Sequence, residues 1–365
     1  MLQQNQRIFF GPKDPWGHTE PSEDQRREAV SRTNSDSPFA KFIGNDKAIR
    51  KLQTAAYKAL GQFNHMMRDL SFAIFGPSSA GKTTIARLYA EVVQLPFVEI
   101  SPKAIKTVDD LLKEISRVLS EAGLPLVEVI RRGHYILPPV VILIDEVHAL
   151  SDGVVQGLLK ATEYGDAMMA TESGKSVNTH NVTWMIATTD EGKLFDAFRT
   201  RFSPVNLKYL SKADVAKIVK LANPDLSDDV CSMVAHYNSR IARKALEFAR
   251  YMRLVKDMSG GTWEEVARQV AEDEEIDEHG MHAVHLKILR ALGQGPIARN
   301  RIALVAGRKD EEVEKFILPW LLTETDDQAA LVTVSSKGYT ITEAGLAELE
   351  RRAMNHKGEK ALVAA

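Results

Sequence analysis

A short apolar run, Phe72–Phe75, leads straight into Gly76-Pro77-Ser78-Ser79-Ala80-Gly81-Lys82-Thr83-Thr84. From Thr83 to Val93 an amphipathic helix follows, with Ile85, Leu88 and Val92 on one face. Few folds accept that order. A complete G-x-x-x-x-G-K-[ST] between strand and helix requires a backbone that curls so that successive N–H groups point at phosphate oxygens, with the helix N-terminus behind them. Gly76 and Gly81 permit the curl. Lys82 can reach the β and γ phosphates, and the Thr83 hydroxyl can ligate Mg²⁺.

The rest of the pattern extends this unit into an α/β domain. Helical spacing covers Lys47–Leu60, Phe97–Ile100 reads as a strand, and Val108–Leu119 as a helix. Val140–Ile144 is a fully apolar strand ending in Asp145-Glu146, and Thr183–Ala187 ends in Thr188-Thr189. Strand and helix in alternation predict a parallel sheet covered on both faces, with ligands at the carboxyl ends of its strands. There Asp145 can hold Mg²⁺ and Glu146 can polarise an attacking water. His148 has no ligand partners nearby and reads as structural. Ala197-Phe198-Arg199-Thr200-Arg201-Phe202 places two arginines before a last short strand, Val205–Leu207. An exposed arginine pair suits charge stabilisation across a subunit boundary, or is simply a solvated turn.

After Ser211 the strands stop and only helical periodicity continues to about Ala271. Glu272–Glu278 is acidic except for Ile276 and marks a boundary. Helices follow near Ala283–Leu292, Arg299–Ala306 and Glu311–Leu321. A candidate hairpin, Leu331–Val334 and Tyr339–Thr342, completes the order of a winged helix. Residues 1–36, rich in Pro, Ser, Asp and Arg apart from Phe9, Phe10 and Trp16, read as a disordered arm. The expected organisation is arm 1–36, P-loop sheet domain 37–208, helical lid 209–276, winged helix 277–352 and tail 353–365. Of 365 residues, 47 are basic and 49 acidic, so no global field attracts nucleic acid and any contact must be a local patch. One cysteine, Cys231, excludes a disulfide framework and reads as a small buried hydrophobe. With no apolar segment of membrane length and no signal-peptide pattern, the expectation is a soluble cytoplasmic protein.

Taken in order, these segments resemble the AAA+ ATPases and, within them, the RuvB family of bacterial Holliday-junction branch-migration motors. The resemblance runs from about Phe39 to Arg352. Phe42-Ile43-Gly44 is similar to the family's adenine-pocket segment, and Asp145-Glu146-Val147-His148 to its DE-x-H segment. Ala187-Thr188-Thr189 resembles the first sensor, which implies Thr189 as the sensing residue. Arg199-Thr200-Arg201-Phe202 resembles the arginine-finger segment and implies Arg201, acting in trans. Tyr209 matches an aromatic near adenine, and Ser239-Arg240-Ile241-Ala242 a second sensor in which Arg240 reaches the γ-phosphate. Ile276–Met281 and Phe316–Leu321 resemble the start and third helix of the family's winged helix.

The resemblance implies an ATP- and Mg²⁺-dependent hexameric ring that moves double-stranded DNA, possible substrates including Holliday junctions. It also implies a RuvA-like adaptor bound by the segment 165–181. Met168, Met169 and Val177 either supply its apolar contact or pack inward. Residues 286–310 hold Lys287, Arg290, Arg299, Arg301, Arg308 and Lys309 against Asp310 alone. That segregation makes Arg299, Arg301, Arg308 and Lys309, with Lys337 in the wing turn, candidate phosphate contacts, or a solvated helix face. Lys103, Lys106, Arg131 and Arg132, between sheet strands, are second-rank candidates. Three features depart from the family: residues 123–139 look inserted, the wing carries a single basic residue, and the arm has no counterpart. They leave open an ATP-gated loader that recruits a protein partner without translocating, and a winged-helix regulator switched by nucleotide.

Overall fold

The computed structural model describes residues 37–61, 71–123, 127–128, 134–163, 167–170, 174–189, 192, 196–238, 241–322, 329–335 and 337–352. The arm 1–36, the tail 353–365 and Arg131, Arg132 and Arg240 lie outside them. By contacts the chain forms two compact units. One comprises residues up to Pro77 and Gly81–Lys208. The other comprises Ser78–Ala80 and the chain from Tyr209.

The first unit is built on a five-stranded parallel sheet. Its strands are β1 (Phe72–Phe75), β2 (Phe97–Ile100), β5 (Val140–Ile144), β8 (Val182–Thr188) and β9 (Ser203–Asn206), in the order β2-β5-β8-β1-β9. Every residue of β1, β5 and β8 is buried, as a sheet covered on both faces demands. The covering helices include α1 (Asp46–Gly61), α2 (Lys82–Val92), α3 (Val108–Glu121) and α4 (Asp152–Ala161). Thr107 starts α3 with a capping box, its hydroxyl accepting from Asp110 N while the Asp110 carboxylate accepts from Thr107 N. β8 stretches one residue beyond the expected strand at each end.

A second, four-stranded sheet has the order β3-β4-β7-β6, from Val127–Glu128, His134–Ile136, Ser176–Asn178 and Met168–Ala170. β6 and β7 are the antiparallel pair expected within 165–181, and the inserted segment adds β3 and β4 beside it. The structure corrects the docking reading of this hairpin. Met169 and Val177 are buried in the main apolar core with Leu158, Trp184 and Phe198. Only Met168 is half-buried. The reason is the pleat: Met169 and Val177 are cross-strand partners, so both side chains share one face, and that face packs on the core.

The second unit contains two apolar cores. One gathers α6 (Lys212–Ala222), α7 (Asp228–Tyr237), α8 (Ala242–Ser259) and α9 (Trp263–Asp273), including the buried Cys231. The other joins α10 (Ala283–Gly293), α11 (Ile302–Ala306) and α12 to the hairpin β10 (Val332–Ser335) and β11 (Gly338–Ile341). In α12, Asp310–Glu312 and Leu318–Leu322 flank a π-helical turn, Val313–Ile317. A last helix, α13, covers 343–352. Gly338 lets the wing close: a Cβ there would lie 2.3 Å from Ile297 O, and Ile297 and Tyr339 exchange both backbone hydrogen bonds.

Met169→Ala should cost about 2–5 kcal/mol in urea unfolding, the range for deleting a buried long side chain. A loss under ~0.5 kcal/mol would mean that Met169 faces solvent.

Candidate functional site

Register brings the site together. β8 lies between β5 and β1, with Ile144 opposite Ile186 and Phe75 opposite Thr188. The residues that follow each strand, Asp145-Glu146, Thr189 and Gly76, therefore emerge at one carboxyl edge, where open parallel sheets bind ligands.

The glycines of the loop answer to its neighbours. A Cβ on Gly76 would lie 2.8 Å from Leu207 Cβ and 2.9 Å from Leu207 O, and one on Gly81 would lie 2.9 Å from the Phe42 ring. Gly81 also has φ +91°, which L side chains avoid. Lys82, buried, donates from Nζ to the carbonyls of Gly76 (3.0 Å) and Pro77 (3.1 Å). Its ammonium is thus held over the loop. Pro77, Ser78 and Ser79 are half-buried, Ala80 is buried, and Thr84, the third residue of α2, is exposed.

The acidic pair behaves as two different groups. The Asp145 carboxylate accepts from the Glu146 N–H (3.0 Å) and from the Thr83 hydroxyl. Burial pushes its pKa up, Lys82 opposes that, and the neighbouring Glu146 reinforces it. Glu146 has φ +52° and ψ +47°, a left-handed conformation that costs a non-glycine residue on the order of 1–3 kcal/mol and concentrates at functional sites. Its Oε2 lies 3.3 Å from both the Thr189 hydroxyl, which donates to it, and His148 Nδ1. His148 Nδ1 is in turn 2.9 Å from the Thr188 hydroxyl. Sequence reasoning missed this role for His148, because only β8 brings Thr188 beside it.

Phe42 and Ile43 are half-buried. A further residue holds their segment: Asn45 donates from Nδ2 to Lys208 O (3.2 Å) and accepts from Lys208 N (2.6 Å). The available signal was the Gly44-Asn45 pair, a turn dipeptide rather than a chemical motif, and Asn45 takes the left-handed φ of +57° that such a turn uses. Arg201, at the end of α5 (Asp196–Arg201), is exposed and donates to Leu159 O. Tyr209 is half-buried at the start of the second unit. Arg299, Arg301, Arg308, Lys309 and Lys337 are all exposed, as are Lys103 and Lys106. The Ile297–Tyr339 bridge ties the segment leading to Arg299 to the wing. Arg308 is 3.7 Å from Glu312, so part of the expected basic face is paired.

Among the described residues no three His, Cys, Asp or Glu side chains cluster as a metal site. The Thr83 hydroxyl and Asp145 carboxylate are hard oxygen donors in contact, which suits Mg²⁺ completed by water and phosphate oxygens.

Residues 72–208 match the family described as "ATPase family associated with various cellular activities (AAA)". That segment therefore resembles an AAA ATPase domain. The whole chain is similar to Holliday junction branch migration complex subunit RuvB of Lactobacillus johnsonii, 26% identical over 329 residues that cover 85% of this chain and 89% of that protein. It is 27% identical to RuvB of Streptococcus pneumoniae over 314 residues, 81% of this chain and 87% of the relative. In fold it is similar to the Thermotoga maritima RuvB Holliday junction branch migration motor, with TM-score 0.65 and 20% identity, covering 88% of this chain and 98% of that one. The fold is thus the AAA parallel sheet followed by the helical and winged-helix elements described. No described helix is long and apolar enough to cross a membrane.

Gly76→Ala drives a Cβ into the Leu207 backbone and should weaken nucleotide binding at least about tenfold in a fluorescent-nucleotide titration, the effect of a misplaced binding group. His148→Ala should leave that affinity intact and slow hydrolysis roughly ten- to a hundredfold. Equal loss of both would make His148 a structural residue only.

Proposed function

We propose that this chain is a Mg²⁺- and ATP-dependent oligomeric ring motor that moves double-stranded DNA, with Holliday-junction branch migration as its task in recombination and repair. The carrying observation is one sheet edge holding Lys82, Thr83, Asp145, Glu146 and Thr189, continued by a winged-helix domain along a length that parallels RuvB.

The loop 76–81 and the α2 N-terminus bind the phosphates through backbone N–H groups, and Lys82 leaves the Gly76 and Pro77 carbonyls for the β and γ oxygens. Thr83 and Asp145 would hold Mg²⁺, which supplies charge neutralisation on the phosphate oxygens. Glu146 orients the attacking water and accepts its proton, its carboxylate aimed by Thr189 and His148. Phe42, Ile43 and Tyr209 flank adenine. Arg240 senses the γ-phosphate, and Arg201 releases Leu159 O to stabilise the transition state of a neighbouring subunit in a hexamer. Arg299, Arg301, Arg308, Lys309 and Lys337 grip phosphates without reading bases, as a translocase requires. An adaptor of RuvA type would meet the 165–181 hairpin through Met168 and its flanks. The protein works where its DNA is, in the cytoplasm.

A second reading, an ATP-gated loader that recruits a protein partner, is favoured by the third helix of the winged domain. There Glu312 and Glu314 are exposed, and Arg308 is already paired with Glu312. Duplex-stimulated ATP turnover and directional movement favour the motor; turnover indifferent to DNA favours the loader.

Lys82→Ala should abolish nucleotide binding, and Glu146→Gln should bind ATP without hydrolysing it, both readable by equilibrium binding and steady-state phosphate release. Arg201→Ala should lose turnover and regain it in mixed assemblies with Glu146→Gln subunits, which supply Arg201. Mixtures that stay inactive at every ratio would exclude the trans role.

A further inference from the structure

The segment between the four-helix core and the winged domain is a tight loop rather than a slack linker. Ile276 bridges His282, and Asp277 N donates to Met281 O at 3.0 Å. One oxygen of the Asp277 carboxylate, Oδ1, accepts from His279 N (2.9 Å) and Met281 N (3.0 Å) and so closes the loop on itself. The other oxygen leaves the loop. Asp277 Oδ2 accepts from Arg352 Nη1 on α13, and Arg352 Nε donates to Glu348 Oε1 at 2.7 Å. Glu348 also accepts from Arg351, from Nη2 at 2.7 Å (Oε1) and 2.8 Å (Oε2) and from Nε at 3.1 Å (Oε2), and Arg351 Nη1 lies 3.1 Å from His279 Nε2, back on the loop. On the other side, His236 Nε2 of α7 is 2.8 Å from Glu278 O. A continuous polar chain therefore runs from a lid helix through the loop to the last helix of the winged domain.

This is not a surface decoration. The side chains of Arg352 and Glu348 are 14% and 18% exposed, and that of Asp277 is 27% exposed. Charges so sheltered are screened less by salt than surface pairs. Removing one partner strands the others with little water to replace it. Burial works against the charged form of Asp277, yet Arg352 and the loop N–H groups hold its carboxyl below the ordinary range.

We infer that Asp277, Arg352 and Glu348 form a clasp that makes the helical lid and the winged domain move as one body. Nucleotide-driven movement of the lid is thereby delivered to the domain that grips DNA. The inference rests on the motor reading for its purpose and on the bond network for its existence. These are positioning residues: they act by denying the loop its freedom. A loop with Glu275 and Gly280 both at positive φ has the backbone for a hinge, and the clasp spans it.

Asp277→Asn is the discriminating variant. It keeps the Oδ1 acceptor that closes the loop but sets an amide NH₂, which cannot accept, against the Arg352 guanidinium. The full-length protein carries spin labels at Met258→Cys and Leu304→Cys, sites 88% and 82% exposed on the lid and the winged domain, and is diluted into excess unlabelled protein so that only distances within one subunit are read; Cys231 is buried. The parent should show one narrow label-to-label distance distribution with ATPγS and with ADP, and Asp277→Asn a broad one. ATP turnover should stay within about twofold of the parent while DNA moved per ATP falls about tenfold, a typical scale for a coupling change. Glu348→Gln should behave likewise, and Arg352→Lys, which keeps the charge and loses the fork, should fall between. If Asp277→Asn melts early, Arg352→Lys carries the measurement. An unchanged distribution in Asp277→Asn overturns the clasp, and a broadened one with undiminished DNA movement overturns its coupling role. A parent that hydrolyses ATP but moves no DNA overturns the motor reading and the coupling built on it. The label distances then still decide separately whether the clasp holds lid and winged domain together.

Discussion

The chemistry of this protein depends on the backbone pairing of β8 with β5 on one side and β1 on the other. Those two parallel ladders, Ile144 opposite Ile186 and Phe75 opposite Thr188, bring the acidic pair, Thr189 and the phosphate loop to one edge. A slip of one residue would turn the β8 side chains to the opposite faces. It would also separate Glu146 from Thr189 and His148 from Thr188, because each contact spans two strands. The seven buried residues of β8 prevent the slip. Packing of an apolar strand thus sets the position of a carboxylate it does not touch.

Around that edge the structure holds strain and charge in a prepared state. Glu146 keeps a left-handed backbone, Lys82 is parked on the carbonyls of its own loop, and Asp145 is buried against Thr83. The left-handed Glu146 backbone and the buried Asp145 carboxylate cost free energy in the folded chain, and the Lys82 ammonium already stands over the loop that an incoming phosphate would meet. That is what preorganisation means for a reaction whose catalysis is mostly positioning and electrostatics. Far from the nucleotide, the Asp277 network applies the same economy to a joint: one carboxylate closes a loop with one oxygen and ties it to a helix with the other.

The winged domain shows how local and cross-segment pairing together edit a charge pattern. A count along the chain separates a basic stretch from an acidic one. In space Arg308 meets Glu312, while the Ile297–Tyr339 bridge joins the start of the Arg299 segment to the wing. In the proposed phosphate grip Arg308 therefore shares its charge with Glu312, and the acidic third helix is ill suited to enter a groove lined by phosphates.

Much was legible in the residues alone. The strand, phosphate loop and helix, the Asp145-Glu146 pair, the order of elements to the wing and the burial of Cys231 follow from local rules: period, turn chemistry and the sterics of glycine. The sequence by itself determined the loop between β1 and α2, because only glycines at 76 and 81 let the backbone make it. Three things it could not determine. His148 meets the Glu146 carboxylate, Met169 and Val177 point inward to the core, and Asp277 and Arg352 meet across 75 positions of chain. Each depends on which side chains of distant segments share a face or a burial environment. That is decided when strands register and cores close, not by any run of neighbouring residues.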